Sequence, residues 1–197
     1  MKLLLATNNA HKAAEIREIL GSDFSEMLTL KEAGLSIDVV EDGKTFEQNA
    51  VKKAEEVLLV SGFPAALADD SGLMVDALKG APGVYSARYA GEGHDDSANN
   101  AKLMADMEDV PDEQRTCRFA SAIALARLGR PTLVVTGYCE GKLLRSPRGS
   151  NGFGYDPYFL YDPLGRSFAE LSSEEKNQVS HRRRALELLK AQLQLEA

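Results

Sequence analysis

The chain has 197 residues, 44% hydrophobic and 27% charged, which suits a single soluble domain with a sizeable core and excludes a disordered or fibrous chain. The formal net charge is −7, which argues against a broad electrostatic grip on nucleic acid but leaves room for a phosphate-rich ligand held by locally clustered cations. Cys117 and Cys139 form neither a disulfide framework nor zinc spacing and read as buried free thiols, which fits a reducing cytosol; the N-terminal apolar run is too short for a signal peptide, and no run approaches the ~20 apolar residues of a membrane span.

Lys2–Thr7 is predicted as a short buried strand that runs through the polar turn Thr7-Asn8-Asn9-Ala10-His11-Lys12 into a helix over Ala10–Leu20. Ala13, Ile16, Ile19 and Leu20 give that helix one apolar face, and Asn8 or Asn9 can cap it. Strand, turn and helix in that order aim backbone N–H groups at an anion. A lysine such as Lys12 near a helix N-terminus is unfavourable unless an anion relieves it; a solvated lysine is the local alternative. Glu26–Leu30 reads as a second short strand, and Val39-Val40-Glu41-Asp42-Gly43 ends an extended segment in an acidic turn. A long helix is expected from Phe46 to about Val60, with Thr45 and Gln48 at capping-box spacing. Ala50, Ala54, Val57 and Leu58 form its buried stripe, and Asn49, Lys52 and Lys53 lie around its flank, with a wet helix face as the usual alternative.

The next stretch organises the chain. In Ala66-Leu67-Ala68-Asp69-Asp70-Ser71-Gly72-Leu73-Met74-Val75-Asp76 an apolar run enters two adjacent carboxylates, a hydroxyl and a glycine, and a second apolar run leaves. A buried strand that ends on bare acids is costly, so those charges call for a helix N-terminus, a lysine or a divalent cation; a solvated turn is the alternative. Strand side chains alternate. Asp69 and Asp70 therefore either face opposite ways on a continuous strand, one at the site and one supporting it, or fan out where the strand ends.

Gly80-Ala81-Pro82-Gly83 is a turn, followed by the aromatic and basic Val84–Tyr89. Asp95 or Asp96 caps a helix to about Met107, with Leu103, Met104 and Met107 inward. Thr116–Leu128 and Pro131 to about Leu144 read as a hairpin through Leu128-Gly129-Arg130-Pro131. Phe119, Ile123 and Leu125 lie on one face of its first strand and Ala120, Ala122, Ala124 and Ala126 on the other, so the sheet is expected to be covered on both sides. In Gly149-Ser150-Asn151-Gly152-Phe153-Gly154-Tyr155-Asp156-Pro157, Phe153 either stacks on a flat ligand or folds back into the core. Ser172 and Glu175 stand at capping-box spacing for a short helix to about Val179. Ser180-His181-Arg182-Arg183-Arg184 opens a last helix with Ala185, Leu186, Leu189 and Leu193 inward. Three arginines at a helix start oppose its dipole, which suits an anionic ligand or acidic partner, with a charged surface turn as the alternative.

Six motifs now stand in order: Thr7-x-Asn9-x-x-Lys12; Glu41-x-Gly43-x-Thr45-Phe46-x-x-Asn49-Ala50-x-x-Lys53-Ala54; Ala68-Asp69-Asp70-Ser71-Gly72-Leu73; Pro82-Gly83-Val84-Tyr85-Ser86-Ala87-Arg88-Tyr89; Gly152-Phe153-Gly154-Tyr155-Asp156-Pro157; and Glu175-Lys176-x-x-x-Ser180-His181-Arg182. Each alone is weak; the ordered set resembles the Ham1/RdgB family of inosine/xanthosine triphosphate pyrophosphatases over essentially the whole chain. One departure is Asn8, where family members often have glycine; Asn tolerates left-handed backbone, so the turn shape is expected to survive.

The resemblance implies a single α/β domain over residues 1–197, with an elongated mixed β-sheet flanked by helices and two lobes around a central cleft. It implies a cytoplasmic homodimer that uses Mg2+, engages neither nucleic acid nor membrane, and hydrolyses ITP, dITP and XTP to the monophosphate and pyrophosphate, cleansing the nucleotide pool. By the same analogy Asp70 would ligate the metal and activate water, and Glu41 and Asp69 would assist in the metal shell or orient that water. The turn Thr7, Asn8, Asn9, Ala10, His11 and Lys12, with Lys53 and Ser71, would hold phosphates, Lys12 also taking part in catalysis. Phe153, Gly154 and Tyr155 would line the base, Phe153 by stacking; Asp156 would accept from a ring N–H, and Lys176, His181 and Arg182 would donate to the 6-oxo group that adenine lacks. A non-catalytic purine-nucleotide sensor is the alternative, against which the complete set of acids and lysines speaks.

Overall fold

The computed structural model describes residues 1–196. The strands β1 (Lys2–Leu5), β2 (Glu26–Thr29), β3 (Ala65–Val75), β4 (Thr116–Arg127), β5 (Arg130–Leu143), β6 (Phe159–Tyr161) and β7 (Arg166–Ser167) hydrogen-bond in the order β2-β1-β3-β4-β5-β6-β7. The helices are α1 (Ala10–Leu20), α2 (Phe46–Ser61), α3 (Asp96–Asp106), α4 (Ser173–Val179) and α5 (His181–Leu195). The sheet is mixed: β1 pairs in parallel with β2 and β3, whereas β5–β6 and β6–β7 are antiparallel. The expected helices and strands are present, each within a residue or two of its predicted limits.

The chain forms two compact units. The first comprises Met1–Asp70, Ser121–Gly137 and the chain from Arg182 onward. Its core joins Leu3 and Leu5 of β1, Ile16 and Leu20 of α1, Ile123 and Leu125 of β4, and Leu186 and Leu189 of α5. β1 and the first half of β3 are buried almost throughout, as parallel strands covered on both faces must be. Thr45 caps α2, accepting from the Gln48 N–H at 3.2 Å, and Gly62 in the left-handed region closes it.

The second unit comprises Ser71–Ala120 and Tyr138–His181. Its core is aromatic: the Phe119 centroid lies 4.7 Å from that of Phe159 and 5.7 Å from that of Phe168, and the His181 ring stacks on Phe119 at 5.0 Å. Cys117 and Cys139 are free thiols buried in this core. α3 is capped by Asp95, and α4 by a full capping box between Ser172 and Glu175.

Candidate functional site

In the first unit, Leu5 at the end of β1 lies opposite Leu67 on its parallel neighbour β3. The turn after β1 therefore emerges two residues short of Asp69, at the end of a parallel strand where α/β sheets place their ligands. The turn is fixed by its own side chains. Thr7 Oγ1 accepts from the Asn9 N–H at 3.0 Å, and Asn9 Oδ1 accepts from the N–H groups of His11 and Lys12 at 3.0 and 3.1 Å. This corrects the expectation that the first turn of α1 offers its backbone donors to an anion, because Asn9 already occupies two of them. Asn8 Oδ1 accepts from the Lys31 N–H at 3.2 Å, and Asn8 does not draw on its tolerance for left-handed backbone. Ala10 and His11 are exposed. What the turn projects inward is the Lys12 ammonium, 2.8 Å from Asp69 Oδ2.

β3 does not stop at the acids; it runs without a break from Ala65 to Val75. Asp69 and Asp70 thus point to opposite faces of one strand, and each has its own set of partners. Asp69 accepts from Ser121 Oγ at 2.5 Å and from Arg182 Nε at 3.2 Å, in addition to Lys12. Arg182, 1% exposed, spends its Nη1 on Glu15 at 2.7 Å. Burial alone would push the Asp69 carboxyl up; the Arg182 charge, the Lys12 charge and the two hydrogen bonds outweigh it and hold the group well below the usual carboxylate range. Asp69 is a permanent anion embedded among cations.

Asp70 behaves in the opposite way. Its Oδ2 accepts from Asn49 Nδ2 at 2.9 Å, and its pKa is pushed up to about 6, first by burial and then by the nearby negative charge of Glu41, with the Asn49 hydrogen bond pulling the other way. Glu41 sits in the acidic turn before α2, where its Oε1 pairs with the Lys53 ammonium; the neighbouring Asp42 pairs with Lys52 at 2.6 Å. Gly43 in the same turn donates its N–H to Asn49 Oδ1 at 2.7 Å. Asp70 and Glu41 are the carboxylates with which this unit could hold a hard cation. No cluster of three metal-binding side chains exists among the described residues.

In the second unit the glycine-flanked loop is held from several sides. Gly152 adopts φ +75°, and a Cβ there would run into the Asp156 carboxylate. Asp156 Oδ2 accepts from the Phe153 N–H at 2.9 Å and from Lys176 Nζ at 2.5 Å. Gly154 donates its N–H to Asp96 Oδ2 at 2.7 Å, and its carbonyl accepts from Asn100 Nδ2 at 2.9 Å. The loop presents the Phe153 ring 38% exposed, with the Lys176 ammonium 4.7 Å from its centroid. Phe153 therefore does not fold back into the core. The exposed ring beside a buried Lys–Asp pair can stack on a planar ligand and hydrogen-bond its edge. His181 is buried against Phe119, and Ser71, half-buried, follows Asp70 on β3.

The side chains of two expected binding residues are engaged within the protein. Tyr155, expected at the base, is a core residue, 5% exposed, whose hydroxyl donates to the Ser86 carbonyl at 2.7 Å; burial pushes its pKa up. Arg182, expected as a donor to the base, belongs to the first unit and turns its guanidinium to Asp69 and Glu15. Asn49, expected around the helix flank with a wet face as the alternative, is 1% exposed and joins two parts of the site. A signal was available: Asn49 falls three residues after Phe46 and beside Ala50, on the apolar stripe, where a polar group needs a partner. Ser121, a hydroxyl set among alanines in β4, carried a similar signal; Glu15 carried none.

The Ham1 family model matches residues 3–192. A dITP/XTP pyrophosphatase of Leuconostoc mesenteroides is 50% identical over 191 residues, covering 96% of this chain and 94% of that protein. One from Geobacter sulfurreducens is 52% identical over 192 residues, covering 98% and 96%. Among solved structures, the Staphylococcus aureus Ham1 protein superposes with a TM-score of 0.91 at 38% identity, each chain fully covered. A nucleoside-triphosphatase (dITP/XTP pyrophosphatase) from Mycobacterium abscessus gives 0.80 at 46% identity, covering 96% of this chain and 98% of that one.

Proposed function

The chain belongs to the Ham1 family, and on that premise we propose that it hydrolyses non-standard purine nucleoside triphosphates, dITP and XTP with ITP among them, to the monophosphate and pyrophosphate. The single observation that carries this reading is the pairing of a buried, raised-pKa Asp70 with a permanently ionised Asp69 that holds Lys12 beside it. Two neighbouring carboxylates in opposed environments are an assignment of roles: one exchanges a proton, the other keeps its charge.

Asp70 is placed to accept the proton of the attacking water as its oxygen reaches the α-phosphorus; in the metal-free protein burial and Glu41 raise its pKa, and a bound cation would lower it again. The new bond is water oxygen to α-phosphorus; the broken bond joins the α-phosphorus to the bridging oxygen, which departs with pyrophosphate. Lys12 and Lys53, paired with Asp69 and Glu41, are the cations that the phosphate oxygens engage. Asp69 does not need Lys12 to remain ionised, since Arg182 and Ser121 stay with it, so Lys12 can move toward a triphosphate. Asp70 and Glu41 would hold Mg2+, which when bound supplies charge neutralisation to the triphosphate. Within the second unit, the exposed Phe153 ring is suited to stack on a purine, Lys176 and Asp156 to address its edge, and His181 to add a donor. Arg182 acts through Asp69 rather than on the base.

Operation as a cytosolic homodimer belongs to the same proposal; among the described residues no helix is long and apolar enough to cross a membrane. The test is pyrophosphate release from ITP, dITP, XTP, ATP and GTP with Mg2+. Release from the first three at kcat/KM at least ~100-fold above ATP is expected, because a site built to hydrogen-bond its substrate strongly rejects one with the wrong donor pattern. Equal turnover of ATP would overturn the base-reading half of the proposal.

A further inference from the structure

Asn49 is a buried amide that touches both halves of the candidate metal and water site. Its Oδ1 accepts from the Gly43 N–H at 2.7 Å, in the turn that carries Glu41, and its Nδ2 donates to Asp70 Oδ2 at 2.9 Å. The two contacts fix each other. A backbone N–H only donates, so Gly43 forces the oxygen of the Asn49 amide toward the turn and the nitrogen toward Asp70. Asp70 Oδ2 must then accept on one of its lone pairs, which leaves Oδ1 as the less committed oxygen. The turn is moulded to this contact: a Cβ on Gly43 would lie 2.5 Å from Asn49 Oδ1 and 2.9 Å from Gln48 Cβ. Asn49 itself is held by α2, its N–H bonded to the Thr45 carbonyl at 3.2 Å, on the face that carries buried Phe46 and Ala50.

We propose that Asn49 is a positioning residue that locks the Glu41 turn to Asp70 and orients the Asp70 carboxylate through Oδ2, so that Oδ1 is turned to the cation and the attacking water. This rests on the reading of Asp70 and Glu41 given above and extends it to a residue that touches neither substrate nor metal. Outer-shell partners of metal-binding carboxylates are worth 10- to 100-fold in affinity or activity.

Two variants break the lock by different routes. Asn49→Ser is too short to span both partners, and Gly43→Ala pushes the amide aside without altering it; if one fails to fold, as judged by circular dichroism, the other carries the test. Three quantities are read: Mn2+ affinity of the nucleotide-free protein by calorimetry, the Mg2+ concentration for half-maximal pyrophosphate release, and kcat and KM for dITP. Mn2+ affinity is expected to weaken, the Mg2+ requirement to rise and kcat to fall, each about 10-fold or more, while KM at saturating Mg2+ stays within about threefold, since Thr7, Asn9 and Lys12 do not lean on Asn49. Folded variants that lose thermal stability but keep wild-type Mn2+ affinity and Mg2+ dependence would overturn the proposal and leave Asn49 a packing residue. If the wild-type chain releases no pyrophosphate at all, the proposed function fails, and Mn2+ binding still decides the role of Asn49.

Discussion

Replacing Asp70 by Asn should make the protein more stable, and by an amount that depends on pH. Burial and the charge of Glu41 raise the Asp70 pKa from 3.8 to about 6. The folded state therefore holds the proton more tightly than the unfolded chain. Such a group favours folding fully below its unfolded pKa, and that advantage is lost as pH rises through 4 to 6; above 6 the ionised carboxylate is a standing cost. A shift of about two units corresponds to about 3 kcal/mol at pH 8, about 1.5 kcal/mol at pH 5 and about 0.5 kcal/mol at pH 4. The Asp70→Asn substitution removes the charge, yet the new amide oxygen can still accept from Asn49 Nδ2, the contact that now measures 2.9 Å. Urea unfolding of both proteins in EDTA, followed by circular dichroism from pH 4 to pH 8, measures the difference. The expected gain for Asp70→Asn at pH 8 corresponds to about 6–12 °C in thermal midpoint for a chain of this size and shrinks steadily toward pH 4. A difference that is flat across this range, or a variant less stable than wild type at pH 8, would refute the reasoning.

Other outcomes follow from the same geometry. Asp69→Asn strips the buried Arg182 and Lys12 of their shared anion; breaking such a network should cost about 3 kcal/mol or more in urea unfolding at pH 7. Lys176→Met leaves the Asp156 carboxylate buried without its cation, and KM for dITP should rise about 10-fold while the margin over ATP narrows, read by pyrophosphate release. Tyr155→Phe removes a buried hydroxyl from the Ser86 carbonyl; the expected loss is about 1–2 kcal/mol of stability with KM within about twofold of wild type, and a large KM effect would return Tyr155 to the binding site.

How much of this was legible in the sequence depended on whether a side chain's partner lay nearby along the chain. α1, α2 and the short α4 were readable because their caps are local: Asn9, Thr45 and Ser172 each bond within three residues. β3 was readable as a buried strand, but whether it ended at Asp69-Asp70 was open, because the answer lies in Ser121 and Arg182, 52 and 113 residues away. The same distance hid the use of Arg182, which local sequence presents only as one of three arginines at a helix start. Asn49 was misplaced for a different reason. It was grouped with the flanking lysines although its helical position lay on the apolar face, and the periodicity that identified the core also pointed to a buried polar group. Tyr155 shares its motif with Phe153, yet in so tight a loop nearby side chains face opposite ways, one outward and one into the core.

The most direct test of the account is the turnover of Asp70→Asn on dITP with Mg2+ at pH 8, where the same variant should be folded and more stable than wild type. If Asp70 takes the proton from the attacking water, kcat should fall by ~100-fold or more, with KM for dITP changed only a few-fold. Turnover equal to wild type would contradict the assignment of Asp70 and, with it, the division of labour between the two neighbouring acids.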